Sequence, residues 1–119
     1  MKIIFDTNFL IDTIKYKIDA IRELRRICDF NFELCILDKT LDELKKINKP
    51  ESRIALSFLH IFNIIQTSKF KNKKIDDILV EISSSDTIIA TQDQELKRRL
   101  RKKYIPIVII RQRKYYKFA

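Results

Sequence analysis

Short apolar runs alternate with amphipathic stretches along the whole chain, and this alternation most restricts its fold. The apolar runs cover residues 2–5, 32–38, 64–67, 86–91 and 105–110. The stretches between them repeat apolar residues at intervals of three and four, as helices with one buried face do. Because parallel strands need a crossover between them, the pattern predicts an α/β sandwich with a mainly parallel central sheet.

The amphipathic stretches set the expected helices. They cover residues 18–28, 39–47, 52–63, 75–82 and 93–103. An irregular turn and further helical patterning are expected after the first strand. In the stretch 52–63, a stripe of Ile54, Phe58, Ile61 and Phe62 predicts the buried face. After the last strand, a basic tail is expected to close the chain.

At 119 residues, the chain is long enough for one hydrophobic core, so we predict a single domain over 1–119 with a basic C-terminal segment, 97–119. No apolar run approaches the roughly 20 residues that a membrane-spanning helix needs. Asp6 and Asp12 interrupt the apolar N-terminal residues, which is unlike a signal peptide. A cytoplasmic location is therefore expected, with no membrane partner.

The absence of some residue types excludes several classes of site. The chain has no glycine, so it lacks the phosphate loop of P-loop NTPases and the dinucleotide-binding fingerprint. One histidine, His60, and two cysteines, Cys28 and Cys35, cannot supply a zinc site and make a serine or cysteine triad improbable. We expect a surface imidazole and two buried thiols, with a disulfide only if the source is a hyperthermophile.

Positive charge is concentrated at the C-terminal end. The formal net charge is +9, and residues 97–119 contain ten Lys or Arg but no Asp or Glu. Basic side chains interleaved with aromatic rings suit the phosphates and bases of a nucleic acid. The alternative is a solvated helix face followed by a basic tail. The candidate RNA-binding residues are Lys97, Arg98, Arg99, Arg101, Lys102, Arg111, Arg113, Lys114 and Tyr115, with Tyr116 as a second candidate for base stacking.

Carboxylates follow several of the predicted strands. Asp6 ends the first strand, Asp93 lies just beyond the strand at 86–91, Glu43 is in the helix after the second strand, and Asp76 and Asp77 open a later helix. Each has a structural explanation as a helix cap, a favourable charge at a helix end or a surface residue. Sites in open parallel sheets lie beyond the carboxyl ends of the strands, so the acids are expected to share one edge.

Several carboxylates at one edge repel each other unless a cation neutralises them. Oxygen ligands without His or Cys are typical of Mg²⁺ or Mn²⁺. Such ions lower the pKa of water and stabilise charge developing on a phosphodiester, with no need for a protein nucleophile. A basic surface that delivers a polyanion to this pocket indicates a metal-dependent nuclease.

Four motifs, IIFDTNFLID, LDEL, IDDIL and IIATQDQELKRRL, resemble the ordered acidic motifs of PIN-domain ribonucleases. The resemblance implies a three-layer α/β/α sandwich and a metal-dependent site of three or four acids. By position, the four acids would be Asp6, Glu43, Asp77 and Asp93, with Asp6, Asp77 and Asp93 as metal ligands. Asn8 and Thr91 would support the site. Asp76 is the alternative third acid, and Asp77 is preferred because Ile78, Leu79 and Val80 follow it as in the family.

The stretch TQDQELKRRLRKKYIPIVIIRQRKYYKF is most similar to the archaeal and eukaryotic branch that matures small-subunit ribosomal RNA. The resemblance therefore implies an endoribonuclease of ribosomal RNA maturation, with pre-rRNA and a ribosome-assembly factor as partners. The toxin branch, with an antitoxin as partner, is a rival, as is a non-catalytic RNA-binding module. A phosphoacceptor receiver domain fits less well, because the chain lacks an acidic pair after the first strand. Homodimerisation is left open.

Overall fold

The computed structural model describes residues 1–119 and contains a six-stranded sheet between two layers of helices. The strands are β1 (Lys2–Phe5), β2 (Glu33–Leu37), β3 (Asn63–Ile65), β4 (Thr87–Ala90), β5 (Ile107–Arg111) and β6 (Tyr115–Phe118). The helices are α1 (Thr7–Lys15), α2 (Ala20–Ile27), α3 (Asp38–Lys46), α4 (Pro50–Ser57), α5 (Ile75–Ile82) and α6 (Gln94–Lys102). The strand order is β3-β2-β1-β4-β5-β6.

Strands β1 to β5 are parallel, and β6 is antiparallel to β5. Parallel strands covered on both faces are expected to be almost wholly apolar, and β1 shows why. Ile3 and Phe5 enter the core beneath the helices α1 to α4, while Ile4 enters the core beneath α5 and α6. The predicted α/β/α sandwich with a mainly parallel sheet is confirmed.

The strand order reverses between β1 and β4, the two central strands. From β1, the chain moves outward through β2 to β3 and then returns to the other side of β1 at β4. All five parallel strands end at one edge of the sheet, and this reversal leaves a crevice between the ends of β1 and β4. Asp6 and Thr91, which directly follow these two strands, therefore lie next to each other.

The start of α1 differs from the prediction. No irregular turn follows β1, because Asp6 itself caps α1 and the helix begins at Thr7. The helix expected over 52–63 is also shorter. Helix α4 ends at Ser57, and a short 3-10 turn at Leu59–Ile61 leads into β3.

The shortened helix changes its buried face. Ile54 and Phe58, predicted to face inward, are exposed, whereas Ser52 and Ala55 are buried. Ser52 accepts a hydrogen bond from the Lys49 amide at the helix start, so a polar residue is satisfied at a buried position. Pro50 is the first residue of α4, a position that proline favours because it needs no amide hydrogen there.

Strand β6 is the main element missed by the sequence, where a basic tail is expected. Tyr116 is fully buried among Phe5 and Phe9, and its hydroxyl lies 2.6 Å from that of Thr13. Its backbone is also bound by α2. Tyr116 N donates to Glu23 Oε1 at 3.0 Å, and Arg26 Nη2 donates to Tyr116 O at 2.6 Å. These contacts cover the outer edge of β6 and exclude another strand from it.

The remaining expectations concern single residues and the membrane. His60 is exposed, and Cys28 and Cys35 are buried free thiols, as expected. No helix has the length and apolarity required to cross a membrane.

We expect Tyr116→Ala to lower the free energy of unfolding by about 3 to 5 kcal/mol, because it leaves a large cavity in the core and unpairs the Thr13 hydroxyl. Tyr115→Ala is the matched control, since the neighbouring ring is only half-buried, and it should cost under about 1 kcal/mol. Urea unfolding followed by circular dichroism measures both. Equal losses would mean that β6 is not part of the core.

Candidate active site

Asp6 occupies the centre of the carboxyl edge of the sheet. Its carboxylate accepts a hydrogen bond from the Phe9 amide at 2.8 Å and another from the Thr91 hydroxyl. The first bond caps α1, so the residue that ends the strand also starts the next helix. Asp6 is buried, and both of its oxygens are held in place by the fold.

Thr91 connects Asp6 to the beginning of α6. This fully buried hydroxyl donates to Asp6 and accepts from the Asp93 amide at 3.1 Å. Asp93 in turn caps α6 by accepting from the Leu96 amide at 2.8 Å. Asp93 itself is therefore the cap at the start of α6. Thr91 fixes the spacing between two of the predicted acids.

Glu43 reaches the same edge from α3. Its Oε1 accepts a hydrogen bond from Thr7 Oγ1 at 2.5 Å, and Thr7 Oγ1 also lies 3.4 Å from the hydroxyl of Thr40. Leu44, next in sequence, is buried in the core. The contact with Thr7 places Glu43 beside the first turn of α1, on the same cavity as Asp6.

The structure places the two candidates for the third acid differently. Asp76 lines the cavity beside Asp6, whereas Asp77 lies outside it and forms an ion pair with Arg99 of α6 at 2.8 Å. Adjacent residues on a helix are separated by a rotation of about 100°, and of these two only Asp76 lines the cavity.

These side chains surround an open cavity of about 560 Å³. Its lining residues are Asp6, Thr7, Asn8, Lys39, Asp42, Glu43, Lys46, Lys73, Lys74, Ile75, Asp76 and Asp93. The lining contains five carboxylates and four ammonium groups, yet no carboxylate among them lies within 4.0 Å of a basic nitrogen. The carboxylates are therefore free to bind an external cation.

The electrostatics of the cavity also favour a cation. Burial raises the pKa of Asp6 to about 6 despite its hydrogen bonds from Thr91 and Phe9, and the charges of Asp76 and Asp93 contribute to the increase. Burial likewise raises the pKa of Asp76. The charges of Asp93, Asp77 and Glu43 also raise this pKa, whereas the nearby charge of Arg99 lowers it. A cation between these groups would favour their ionised forms.

The donor set fits a hard divalent cation, because all of its charged ligands are carboxylate oxygens and Asn8 adds an amide oxygen. As the side chains stand, no group of three is close enough together to form a ready-made metal site. Binding would therefore draw mutually repelling carboxylates towards each other, which is the rearrangement that a divalent charge favours.

Comparison with known proteins identifies the family of the chain. The family model described as a PIN like domain matches residues 3–113. The chain belongs to the PIN-like domain family. The resemblance seen in the four acidic motifs is thereby confirmed.

Relatives of this PIN-like domain are named as ribonucleases and as rRNA-processing proteins. The chain is 32% identical to ribonuclease VapC4 of Methanocaldococcus jannaschii, over 97% of this chain and 94% of that protein. It is 31% identical to the human rRNA-processing protein FCF1 homolog, over 95% of this chain. The match covers only 59% of that human protein.

Solved structures agree with the fold. The PIN domain endonuclease Utp24 has a TM-score of 0.86 and 28% identity, with 99% of this chain and 90% of that chain covered. VapBC2 of Rickettsia felis has a TM-score of 0.51 at 20% identity, with 82% and 92% covered, and supports the fold alone.

The predicted RNA-binding residues of the PIN-like domain fall into three groups. Arg111, Arg113 and Lys114 are exposed in and beside the β5–β6 turn, at the same edge as Asp6. Arg101 and Lys102 are exposed near the end of α6, away from that edge. Only the first group lies at the same sheet edge as Asp6.

The third group is buried or in contact with other side chains. Lys97 is buried, which disfavours an RNA contact, and Tyr116 is in the core and cannot stack on a base. Arg98 pairs with Glu95 at 2.5 Å, as Arg99 does with Asp77. The Tyr115 ring is half-buried, with the Arg26 guanidinium 5.7 Å from its centre.

Sequence reasoning missed the cavity's basic side chains, Lys39, Lys46, Lys73 and Lys74. The signal was available in α3, because residues 39, 42, 43 and 46 have the spacing of one helix face. Once Glu43 is a candidate, this spacing selects Lys39 and Lys46 as its neighbours. Lys73 and Lys74 directly precede α5. Their place on the cavity depends on the path of the loop before this helix, which the sequence does not give.

The raised pKa of Asp6 leads to a prediction about stability. Between its ordinary pKa of 3.8 and about 6, the folded protein binds the proton more tightly than the unfolded chain, so stability falls as the pH rises through this window. Asp6→Asn removes the charge and retains a capping side chain. We expect it to raise the free energy of unfolding at pH 7 by on the order of 2 kcal/mol.

The expected gain should shrink towards zero at about pH 3, below both pKa values, where the carboxyl is largely protonated in both states. Urea unfolding at about pH 3 and pH 7 measures it. Asp42→Asn is the control, since Asp42 lies on the same cavity but is exposed. Destabilisation by Asp6→Asn at pH 7 would show that the carboxylate is not held at an electrostatic cost.

Proposed function

We propose that this PIN-like domain is an endoribonuclease that depends on Mg²⁺ or Mn²⁺, held by Asp6, Glu43, Asp76 and Asp93. The observation that carries the proposal is the cavity at the ends of β1 and β4, in which these four carboxylates have no cationic partner within 4.0 Å. A bound divalent cation supplies Lewis-acid chemistry: it makes water more acidic and offsets charge on the phosphodiester.

The chain's own residues would prepare the site for this chemistry. Thr91 and the Phe9 amide fix the Asp6 carboxylate, and Thr7 fixes the Glu43 carboxylate. Asn8 is exposed on the cavity lining and would present its amide to the substrate or to water. Preorganised acceptors of this kind need little reorganisation during the reaction.

An RNA substrate is supported by two features. The similar proteins are named as a ribonuclease and as rRNA-processing proteins. The exposed residues Arg111, Arg113 and Lys114 follow β5 at the same edge of the sheet as Asp6, where they would bind the RNA backbone. We infer that pre-rRNA is the substrate and that the protein acts in the cytoplasm, beside ribosome-assembly factors.

A toxin-type ribonuclease with an antitoxin partner is the second candidate. It is favoured by the coverage of 94% of VapC4, against 59% of the FCF1 homolog. RNA crosslinking in cells separates the two, because pre-rRNA is expected for the first function and tRNA or mRNA for the second. The non-catalytic alternative predicts salt-sensitive RNA binding without cleavage and no effect of Asp93→Asn on function.

The metal assignment predicts the behaviour of an adjacent pair of variants. Asp76→Asn should lower RNA cleavage with Mn²⁺ or Mg²⁺ by about 100-fold or more, because it removes a ligand. Asp77→Asn, one residue away and outside the cavity, should retain most activity. Cleavage of labelled RNA, with and without EDTA, measures both, and Asp6→Asn serves as the inactive reference.

Two results would contradict the assignment. One is cleavage that neither EDTA nor Asp6→Asn affects, which would remove the metal from the reaction. The other is loss of activity in Asp77→Asn with retention in Asp76→Asn, which would restore Asp77 as the third acid. As an independent readout, Mn²⁺ should raise the melting temperature of the wild type more than that of Asp6→Asn.

A further inference from the structure

The cavity carries positive charge on one side of its acids. One face of α3 presents Lys39, Asp42, Glu43 and Lys46 to the cavity, at the spacing of successive helical turns. The loop before α5 adds Lys73 and Lys74. Carboxylates suffice to bind a cation, so the four lysines require a separate explanation.

The four lysines differ in what their ammonium groups contact. Lys39 Nζ donates to the carbonyls of Phe70 and Lys73, at 2.8 Å each, and Lys73 pairs with Glu81. Lys39 therefore ties the loop before α5 to α3. The ammonium groups of Lys46 and Lys74 make no hydrogen bond or ion pair in the structure, and both side chains are exposed.

The loop that bears Lys74 is fixed rather than free to move away. Besides the Lys39 contacts, the Thr67 amide donates to Asp38 Oδ2 at 3.1 Å, and the Thr67 hydroxyl also donates to Asp38. Asp38 is the first residue of α3. Both ends of the loop are thus attached to the helix that carries Lys46. This attachment keeps Lys46 and Lys74, whose ammonium groups have no partner, on the same cavity.

The order of the strands places these lysines opposite the arginines of the β5–β6 turn. Helix α3 follows β2 and the Lys74 loop follows β3, whereas the turn follows β5. The ends of β1 and β4, with Asp6 and Asp93, lie between them in the sheet. Neighbouring strands are about 4.8 Å apart, so a single strand of RNA crossing this edge would meet cations on both sides of the acids.

We propose that Lys46 and Lys74 form a phosphate-binding pair that holds the RNA backbone on the α3 side of the cleaved bond. The inference rests on the proposed function for its substrate, and it assigns that substrate's path across the sheet edge. A role of Lys46 in stabilising the C-terminal end of α3 does not explain its orientation, since Lys45 serves that end equally and does not line the cavity.

RNA binding without cleavage tests the pair directly. The double variant K46Q/K74Q is compared with K45Q/K71Q, which has the same charge change at two exposed lysines outside the cavity. Fluorescence anisotropy with labelled single-stranded RNA in EDTA gives the salt dependence of the affinity. The slope of log K against log salt should weaken by about 1.4 in K46Q/K74Q, since each phosphate contact contributes about 0.7 on single strands.

The second readout is cleavage. K46Q/K74Q should raise KM roughly tenfold, and K45Q/K71Q should stay close to the wild type in both measurements. Equal slopes and equal KM values for the two double variants would overturn the proposal. If the wild type binds RNA but does not cleave it, the proposed function fails, while the difference in salt slopes still decides whether Lys46 and Lys74 bind phosphate.

Discussion

The buried carboxylate of Asp6 is held by two hydrogen bonds, and the rest of the site is arranged around it. The Phe9 amide holds one oxygen and the Thr91 hydroxyl the other. Because Thr91 also accepts from the Asp93 amide, one hydroxyl links the ends of β1 and β4 to the start of α6. The acids of the site are therefore spaced by the same contacts that cap the helices, so their functional and structural roles coexist.

Burying this carboxylate has an electrostatic cost that the fold does not remove. The pKa of Asp6 stays raised although two donors bind it, since desolvation and the charges of Asp76 and Asp93 outweigh them. A basic residue in hydrogen-bond reach would relieve this cost, but none of the four cavity lysines lies within 4.0 Å of a cavity carboxylate. This arrangement suits a site whose carboxylates are neutralised by a bound cation. Without the cation, the same carboxylates lower the stability of the fold while serving the proposed function.

Much of the fold could be predicted because the central strands are buried on both faces and therefore read as short apolar runs. The acids could be found for a related reason, since Asp6 and Asp93 follow strands, Asp76 opens a helix, and Glu43 lies in the helix after β2. The choice between Asp76 and Asp77 could not be made, because the apolar stripe of α5 does not reveal that Arg99 of α6 lies beside Asp77. That contact is set by the packing of two helices.

The C-terminal segment shows that a count of charged residues does not reveal which of them are exposed. Tyr116 and Phe118, two residues apart, both pack towards the same core, and this alternation indicates a strand among basic residues. The turn before it uses Gln112 and Arg113 at φ of 52° and 55°, a conformation usually taken by glycine, so the sequence lacked the usual hairpin signal. Lys97 is buried, and Arg98 and Arg99 are paired.

The excess of +9 therefore overstates the charge that α6 offers to RNA. The positive side chains that line the cavity come from α3 and the loop before α5. These lysines lie in the nearly neutral part of the chain. Electrostatic attraction depends on the distance of each charge from the phosphates. For this reason, Lys46 and Lys74 are expected to matter more at the cleaved bond than the denser cluster on α6, although composition points to the opposite order.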